Sequence, residues 1–239
     1  MHNFPSGWRF ATPVVPKSPG SLSMAAARRL VTRSGARSRG RFPSAKAPNA
    51  QCYESQLELA AFRMLELAPA VQAFSSQPAQ LRLSERPAIR YTPDLALIMA
   101  DGVQHIVEVK PARVLLEPGV LERMREVVRL YQGLGQELRF LLDIDIIPTR
   151  AHVGDLRDAV HFGQPRRSMP SPAAPEHDEA EEFAAPETSA HDHEPQRYSA
   201  AQLDAIRCDC NRRLEASLSR DFGRTVAAAR AAQWEGVQA

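Results

Sequence analysis

The sequence predicts an α/β domain over about residues 48–163. An amphipathic helical pattern at 54–67, short strand-like runs that meet at Asp101-Gly102, and a following series of helix, apolar strand and helix predict it together.

The segment 54–67, ESQLELAAFRMLEL, has helical spacing: Leu57, Ala60, Ala61, Met64 and Leu65 share one arc, while Gln56, Arg63 and Glu66 share the other. Glu54 and Glu58, four residues apart, fall at the edge of the apolar arc beside Ala61, Phe62 and Leu65. Glu54 can be read as an acid favoured by the helix dipole or as a site residue. Glu58, deeper in the helix, reads as a site residue. After Pro69, residues 71–74, 80–84 and 89–91 read as short strands, the last leading into 94–99. Asp101-Gly102 between two apolar runs marks a tight hairpin with 103–109 as the return strand, and Pro111 ends it. Leu121, Met124, Val128 and Tyr131 then set a helix over 118–133, followed by an apolar strand at 138–144 and a closing helix near 150–160.

The flanks differ sharply in charge. Residues 1–53 carry nine Lys or Arg and no acid, and 1–47 read as a disordered basic arm with one short helical stretch near 24–31. Nine cations without an acid suit contacts to DNA phosphates. Residues 168–196 carry eight acids, no Lys or Arg, and repeated Pro, too little apolar material to offset the entropy of ordering, so 164–198 read as an acidic linker. Beyond it Ser199 can cap a helix, within 199–234, whose stripe is Leu203, Ile206, Cys210, Leu214 and Leu218. Such a stripe packs on the domain, on another copy or on a partner, and the pattern leaves all three open.

Cys52, Cys208 and Cys210 are too few and too badly spaced for a disulfide framework, which suits a reducing compartment. With no apolar run near 18 residues and no apolar N-terminal signal, the expectation is a cytoplasmic protein without a membrane segment. The acid-free, Arg-rich N-terminus has the composition of an organellar transit peptide, but its Arg residues cluster at 28–41.

The chemistry centres on Thr92-Pro93-Asp94 and Glu108-Val109-Lys110. Alternate side chains of a strand face the same way, so Glu108 and Lys110 share one face and Val107 and Val109 the other. A charged pair interrupting the apolar run at 106–109 is costly on an interior hairpin unless metal or solvent compensates it. Asp94 can reach the Glu108 end of that face, and a divalent cation relieves two neighbouring carboxylates. Phosphodiester hydrolysis uses such a grouping: oxygen ligands for Mg²⁺, and an ammonium, here Lys110, near the developing charge. Glu58 could complete the metal shell directly or through water. The plainer reading is a surface hairpin with Glu108 and Lys110 paired in solvent.

Residues 42–111 resemble the N-terminal catalytic domain of the TnsA family, the restriction-endonuclease-like subunit of heteromeric transposases. The resemblance lies in Tyr-Glu-Ser-x-Leu-Glu at 53–58, Val-x-x-Phe-x-x-Gln-Pro at 71–78, residues 91–94 and residues 108–111. It implies a restriction-endonuclease-like core, a mixed sheet flanked by helices. It also implies Glu58, Asp94, Glu108 and Lys110 as catalytic residues, the three acids as ligands of Mg²⁺, with Mn²⁺ able to substitute. The implied reaction is a cut of one strand of double-stranded DNA at each end of a mobile element, beside an integrase-like transposase subunit. Residues 164–239 depart from the family's C-terminal pattern, which puts contact with its ATPase regulator in doubt.

Other suggestive residues have structural readings. Asp143 and Asp145 fit a strand end, Pro78 can bound a strand, and His191-Asp192-His193 and Cys208-x-Cys210 lack further ligands at zinc-site spacing. Two alternatives to a transposition endonuclease stand: a non-catalytic DNA-binding or adaptor protein of the same fold, and a repair or restriction nuclease.

Overall fold

The computed structural model describes residues 39–47, 49–78, 81–82, 90–163 and 198–238. Strands β1 (Gly40–Phe42) and β2 (Gln51–Tyr53) pair antiparallel ahead of helix α1 (Gln56–Leu67). The strands β3 (Val71–Ser76), β4 (Leu81–Arg82), β5 (Arg90–Tyr91), β6 (Leu95–Met99) and β7 (Gln104–Lys110) follow. Helices α2 (Ala112–Leu115) and α3 (Pro118–Gly133) then cross to β8 (Leu138–Leu142), and α4 (Asp143–Ile146) and α5 (Ala151–Gly163) come next. Two further helices, α6 (Ala200–Leu218) and α7 (Phe222–Gln238), follow residue 198.

The main sheet has the order β3-β6-β7-β8, antiparallel except for the parallel pair β7 and β8, so this is an α/β fold with a mixed four-stranded sheet flanked by helices. The parallel pair follows from the connection, since α2 and α3 carry the chain back along the sheet. The antiparallel pair β6 and β7 closes over Asp101-Gly102, where Gly102 sits at φ +84°, a conformation that glycine adopts without a Cβ clash. All five residues of β6 are buried, as expected of a strand covered on both faces.

One face holds α1, with Phe62, Leu65, Leu95, Leu97, Val107 and Val109 in a common core; the other holds Tyr91, Leu115, Val127, Tyr131 and Phe140. In α1 the buried arc is wider than the periodicity suggests, taking in Leu59, Phe62 and Leu67 while Leu57 stays half-buried. Helix α3 has the expected bounds, with Pro118 in its first turn.

Three sequence expectations need correction. Residues 40–47 do not belong to the arm. Phe42 is buried and meets Phe62 edge-on at 6.0 Å, Ser44 Oγ donates to Glu66 at 2.6 Å, and Lys46 Nζ donates to Leu65 O and Ala68 O at 2.8 and 2.6 Å. Lys46 thereby serves carbonyls at the end of α1, where a cation also suits the helix dipole. Burial pushes its pKa down to about 8. The acid-free composition that suggested an arm to 47 concealed a segment that packs. The arm proper up to 38, the helical stretch near 24–31, the linker at 164–197, His191-Asp192-His193 and most of the expected strand at 80–84 lie outside the described residues.

The second correction concerns the C-terminus, where two helices stand in place of one and the second continues past 234. The α6 stripe is covered by the domain itself: Cys210, Leu214 and Leu218 are buried in the α1 core, with Leu203 and Ile206 packed against it. On the other face α7 buries Ala229, and Phe222 meets Phe140 at 5.3 Å. The end of α6 and the turn after it cap the β8 edge: Ser217 Oγ donates to Phe140 O at 2.8 Å and lies 3.0 Å from Asp145 Oδ2, and Arg139 donates to Arg220 O at 3.0 Å. An exposed edge strand is a template for unwanted pairing, and this cover removes it.

Third, the expected apolar strand at 138–144 stops at Leu142, because Asp143 and Asp145 turn the chain. Asp143 accepts from Ala112 N at 2.8 Å and Ile144 N at 3.0 Å, and Asp145 pairs with Arg220. Both therefore have structural partners. Among the described residues no helix is long and apolar enough to cross a membrane.

Phe42→Ala is expected to lower the unfolding free energy by about 3–5 kcal/mol, the usual cost of truncating a buried Phe, in a denaturant titration of the full chain. A change within about 0.5 kcal/mol, the range of a surface substitution, would exclude β1 from the core.

Candidate active site

The site is assembled from three elements. At the start of α1, Ser55 is the N-cap: its Oγ accepts from Glu58 N at 3.1 Å and donates to Glu58 Oε1 at 2.9 Å, while Glu58 Oε2 accepts from Glu54 N at 2.8 Å. The Ser-x-x-Glu spacing is that of a capping box, with the carboxylate reaching one residue further back than usual. Glu58 thus helps to start the helix, a role its position in the sequence could have revealed.

Asp94 stands just ahead of β6. Leu95 pairs with Val107, and β7 runs past the end of β6 there. Asp94 Oδ2 accepts from Val109 N at 2.8 Å, in place of a further strand residue. On the adjacent face of β7, Glu108 is 3% exposed; its Oε1 lies 2.5 Å from Lys110 Nζ, and its Oε2 accepts from Tyr91 Oη at 2.6 Å. The expected shared face of Glu108 and Lys110, opposite Val107 and Val109, is the one seen. The pair is not a solvent-exposed one.

Glu54, Glu58, Asp94 and Lys110 line one cleft of about 400 Å³, with Ser55, Gln56 and Val109. Glu108, ion-paired to Lys110, is not among the lining side chains. Burial, then the charge of Glu108, raises the pKa of Asp94 well above the ordinary 3.8, against the pull of Lys110. Burial also raises Glu58 from 4.5, in spite of its hydrogen bonds, and the charges of Glu54 and Glu108 add to this. For Lys110 burial disfavours the ammonium, but Glu108, Asp94 and Glu58 outweigh it and hold the pKa above 10.5.

Gln77 closes one side. Among the described residues it is the non-glycine residue in the left-handed region, at φ +48°, with its N–H on Asp94 O at 2.9 Å and its side-chain amide on Glu54 Oε1 at 3.3 Å. Its Oε1 is buried without a hydrogen-bond partner among the described residues. Strain of this kind is held only by surroundings that over-determine it, so Gln77 does more than precede a strand-bounding Pro. Tyr91, whose ring meets Tyr131 at 6.3 Å, is the partner that sequence reasoning missed. A buried Tyr normally finds an acceptor for its hydroxyl, but no spacing rule says which one.

Among the described residues no three or more His, Cys, Asp or Glu side chains are already gathered as a cation cage. The donor chemistry nevertheless fits a hard divalent cation. The carboxylates supply oxygen only, Asp94 Oδ1 is not used by the Val109 bond, and their mutual repulsion is what a cation relieves. No protein-family model matches the chain, and no curated protein sequence matches it at a significant level.

A carboxyl whose folded-state pKa lies above its unfolded value stabilises the fold while protonated, and that contribution is lost as the pH rises through the folded pKa. The cation-free protein is therefore expected to lose stability as the pH rises from about 4, the ordinary carboxyl range, through the raised values of Asp94 and Glu58. Lys110, raised above 10.5, stays charged in this window and adds no slope. Thermal melts across this range should show a slope that Asp94→Asn reduces, and Mn²⁺ at 100 times its Kd should restore about 2.7 kcal/mol. An unchanged slope in Asp94→Asn, with no shift by Mn²⁺, would contradict the site electrostatics.

Proposed function

We propose that this protein is a Mg²⁺-dependent DNA endonuclease with a restriction-endonuclease-like core, acting as the TnsA-like strand-cutting subunit of a heteromeric transposase. The observation that carries the reading is the convergence of Asp94, Glu58 and Lys110 on one cleft, with Glu108 buried and ion-paired to Lys110. An adaptor gains nothing from such a cluster, since burying unrelieved acids costs stability.

Asp94, in the cleft, would hold the cation, with Glu58 completing the shell directly or through water; Glu108, which does not line the cleft, would join them through Oε1, the oxygen that also meets Lys110. When bound, Mg²⁺ supplies Lewis-acid polarisation of the scissile phosphate and a more acidic attacking water. The remaining work belongs to the chain. Lys110, kept protonated by its acidic neighbours, presents a cation to the negative charge that develops on the phosphate as water adds to phosphorus and the bond to the leaving sugar oxygen breaks. The Val109 N–H holds the Asp94 carboxylate in place.

Double-stranded DNA is the substrate, and the acid-free, Arg-rich N-terminal segment suits its phosphates. Phosphate contacts position a protein but carry little sequence information, so choice of the element end falls to a partner, an integrase-like transposase subunit that processes the other strand. Because α6 packs on its own domain, its stripe is not offered as that partner's docking site. Contact with an ATPase regulator stays outside the proposal.

Asp94→Ala and Lys110→Ala are each expected to lower Mg²⁺-dependent nicking by at least about 100-fold, the scale for loss of one electrostatic group at a reacting centre, while the far-ultraviolet spectrum stays that of a folded chain. The assay follows duplex element-end DNA with the neighbouring transposase present. Wild-type rates in Asp94→Ala would remove the assignment.

A further inference from the structure

The proposed cation site leaves open what orients its most buried ligand. Glu108 is 3% exposed, on a strand whose other face is apolar core, and it has two oxygens with different partners. Lys110 Nζ takes Oε1 at 2.5 Å, and the Tyr91 hydroxyl donates to Oε2 at 2.6 Å. Tyr91 is itself 5% exposed. Its ring stands nearly perpendicular to that of Tyr131, at 80° and 6.3 Å, which restricts rotation of the phenol. It also lies three residues before Asp94, at the end of the short strand β5, whose Tyr91 pairs with Leu81. One segment therefore carries an acid into the cleft and fixes the other acid from behind.

We infer that Tyr91 is a positioning residue for the cation site: its hydroxyl holds Oε2 of Glu108, so that Oε1 is the oxygen turned toward Lys110 and the bound cation. This rests on the proposed endonuclease reading. Tyr91 touches neither DNA nor cation. Groups that hydrogen-bond a metal ligand from behind fix its orientation, and their removal costs about 10- to 100-fold in metal affinity or activity. Without the hydroxyl, Glu108 keeps its charge but gains freedom to rotate Oε1 away from Lys110 and the cation, and Oε2 is left buried without a donor.

Tyr91→Phe retains the ring and its contact with Tyr131, so it tests the hydroxyl alone. On the full chain, Mn²⁺ titrated by calorimetry should bind about 10- to 100-fold more weakly than to wild type. In nicking assays with the transposase partner, KM for DNA should be unchanged. The rate at limiting Mn²⁺ should fall by the same factor and recover at saturating Mn²⁺. Glu108→Gln, measured alongside, separates this inference from the reading beneath it. If Glu108→Gln binds Mn²⁺ like wild type, the cation site itself is wrong and Tyr91 loses its role with it. If Glu108→Gln loses Mn²⁺ and Tyr91→Phe does not, the site stands and the positioning role is overturned. A loss in Tyr91→Phe that saturating Mn²⁺ does not recover, accompanied by a lowered melting temperature, makes Tyr91 a packing residue and likewise overturns the inference.

Discussion

Glu108 occupies a place where a carboxylate is expensive, between the buried Val107 and Val109 of β7. An unpaired charge at such a position costs several kcal/mol, and here the Lys110 ammonium and the Tyr91 hydroxyl meet it on separate oxygens. That compensation constrains the rest of the sheet. A one-residue slip of β7 would turn Glu108 and Lys110 into the α1 core beside Leu95 and Leu97 and expose Val107 and Val109 to the other face. The register of β6 on β7, the place of Asp94 beyond the last pair and the direction from which Lys110 enters the cleft all depend on it.

The scaffold supplies rigid supports from both faces. Helix α1 delivers Glu58 through its capped first turn, and α2 begins one residue beyond Lys110, after its N-cap Pro111, with its first N–H held by Asp143. Groups carried on helix ends and strand ends of a packed sheet are held more tightly than groups on loops, which a multi-ligand site requires. The α6–α7 hairpin contributes at a distance, embracing the β8 edge with a helix on each face. Asp145, Ser217 and Arg220 tie that hairpin to the strand that pairs with β7.

Much of this was legible in the sequence, for identifiable reasons. The α1 periodicity, the Asp101-Gly102 turn and the alternation of Glu108 and Lys110 against Val107 and Val109 are local patterns, and local geometry follows from them. What was not legible depended on long-range partners. Phe42 and Lys46 pack on α1 from a segment whose composition resembles the arm before it, and nothing local marks Tyr91 Oη as the donor to a residue 17 positions away. The covering of the α6 stripe was one of three outcomes its amphipathic pattern allowed, because a stripe shows that burial is needed and not where it occurs. Glu58 shows the converse, a residue whose site reading obscured the helix-capping role written in Ser55-x-x-Glu58.

The proposed function requires that the acids around this cleft hold a divalent cation. Anomalous diffraction from crystals of the full chain grown with Mn²⁺ tests it most directly. The proposed function leads to an anomalous peak at the cleft, with oxygens of Asp94 and Glu108 in its coordination shell and Glu58 bound directly or through water. A cleft without Mn²⁺ at saturating concentration, with Lys110 Nζ still paired to Glu108, would contradict it and leave the cluster as a self-compensated ion pair.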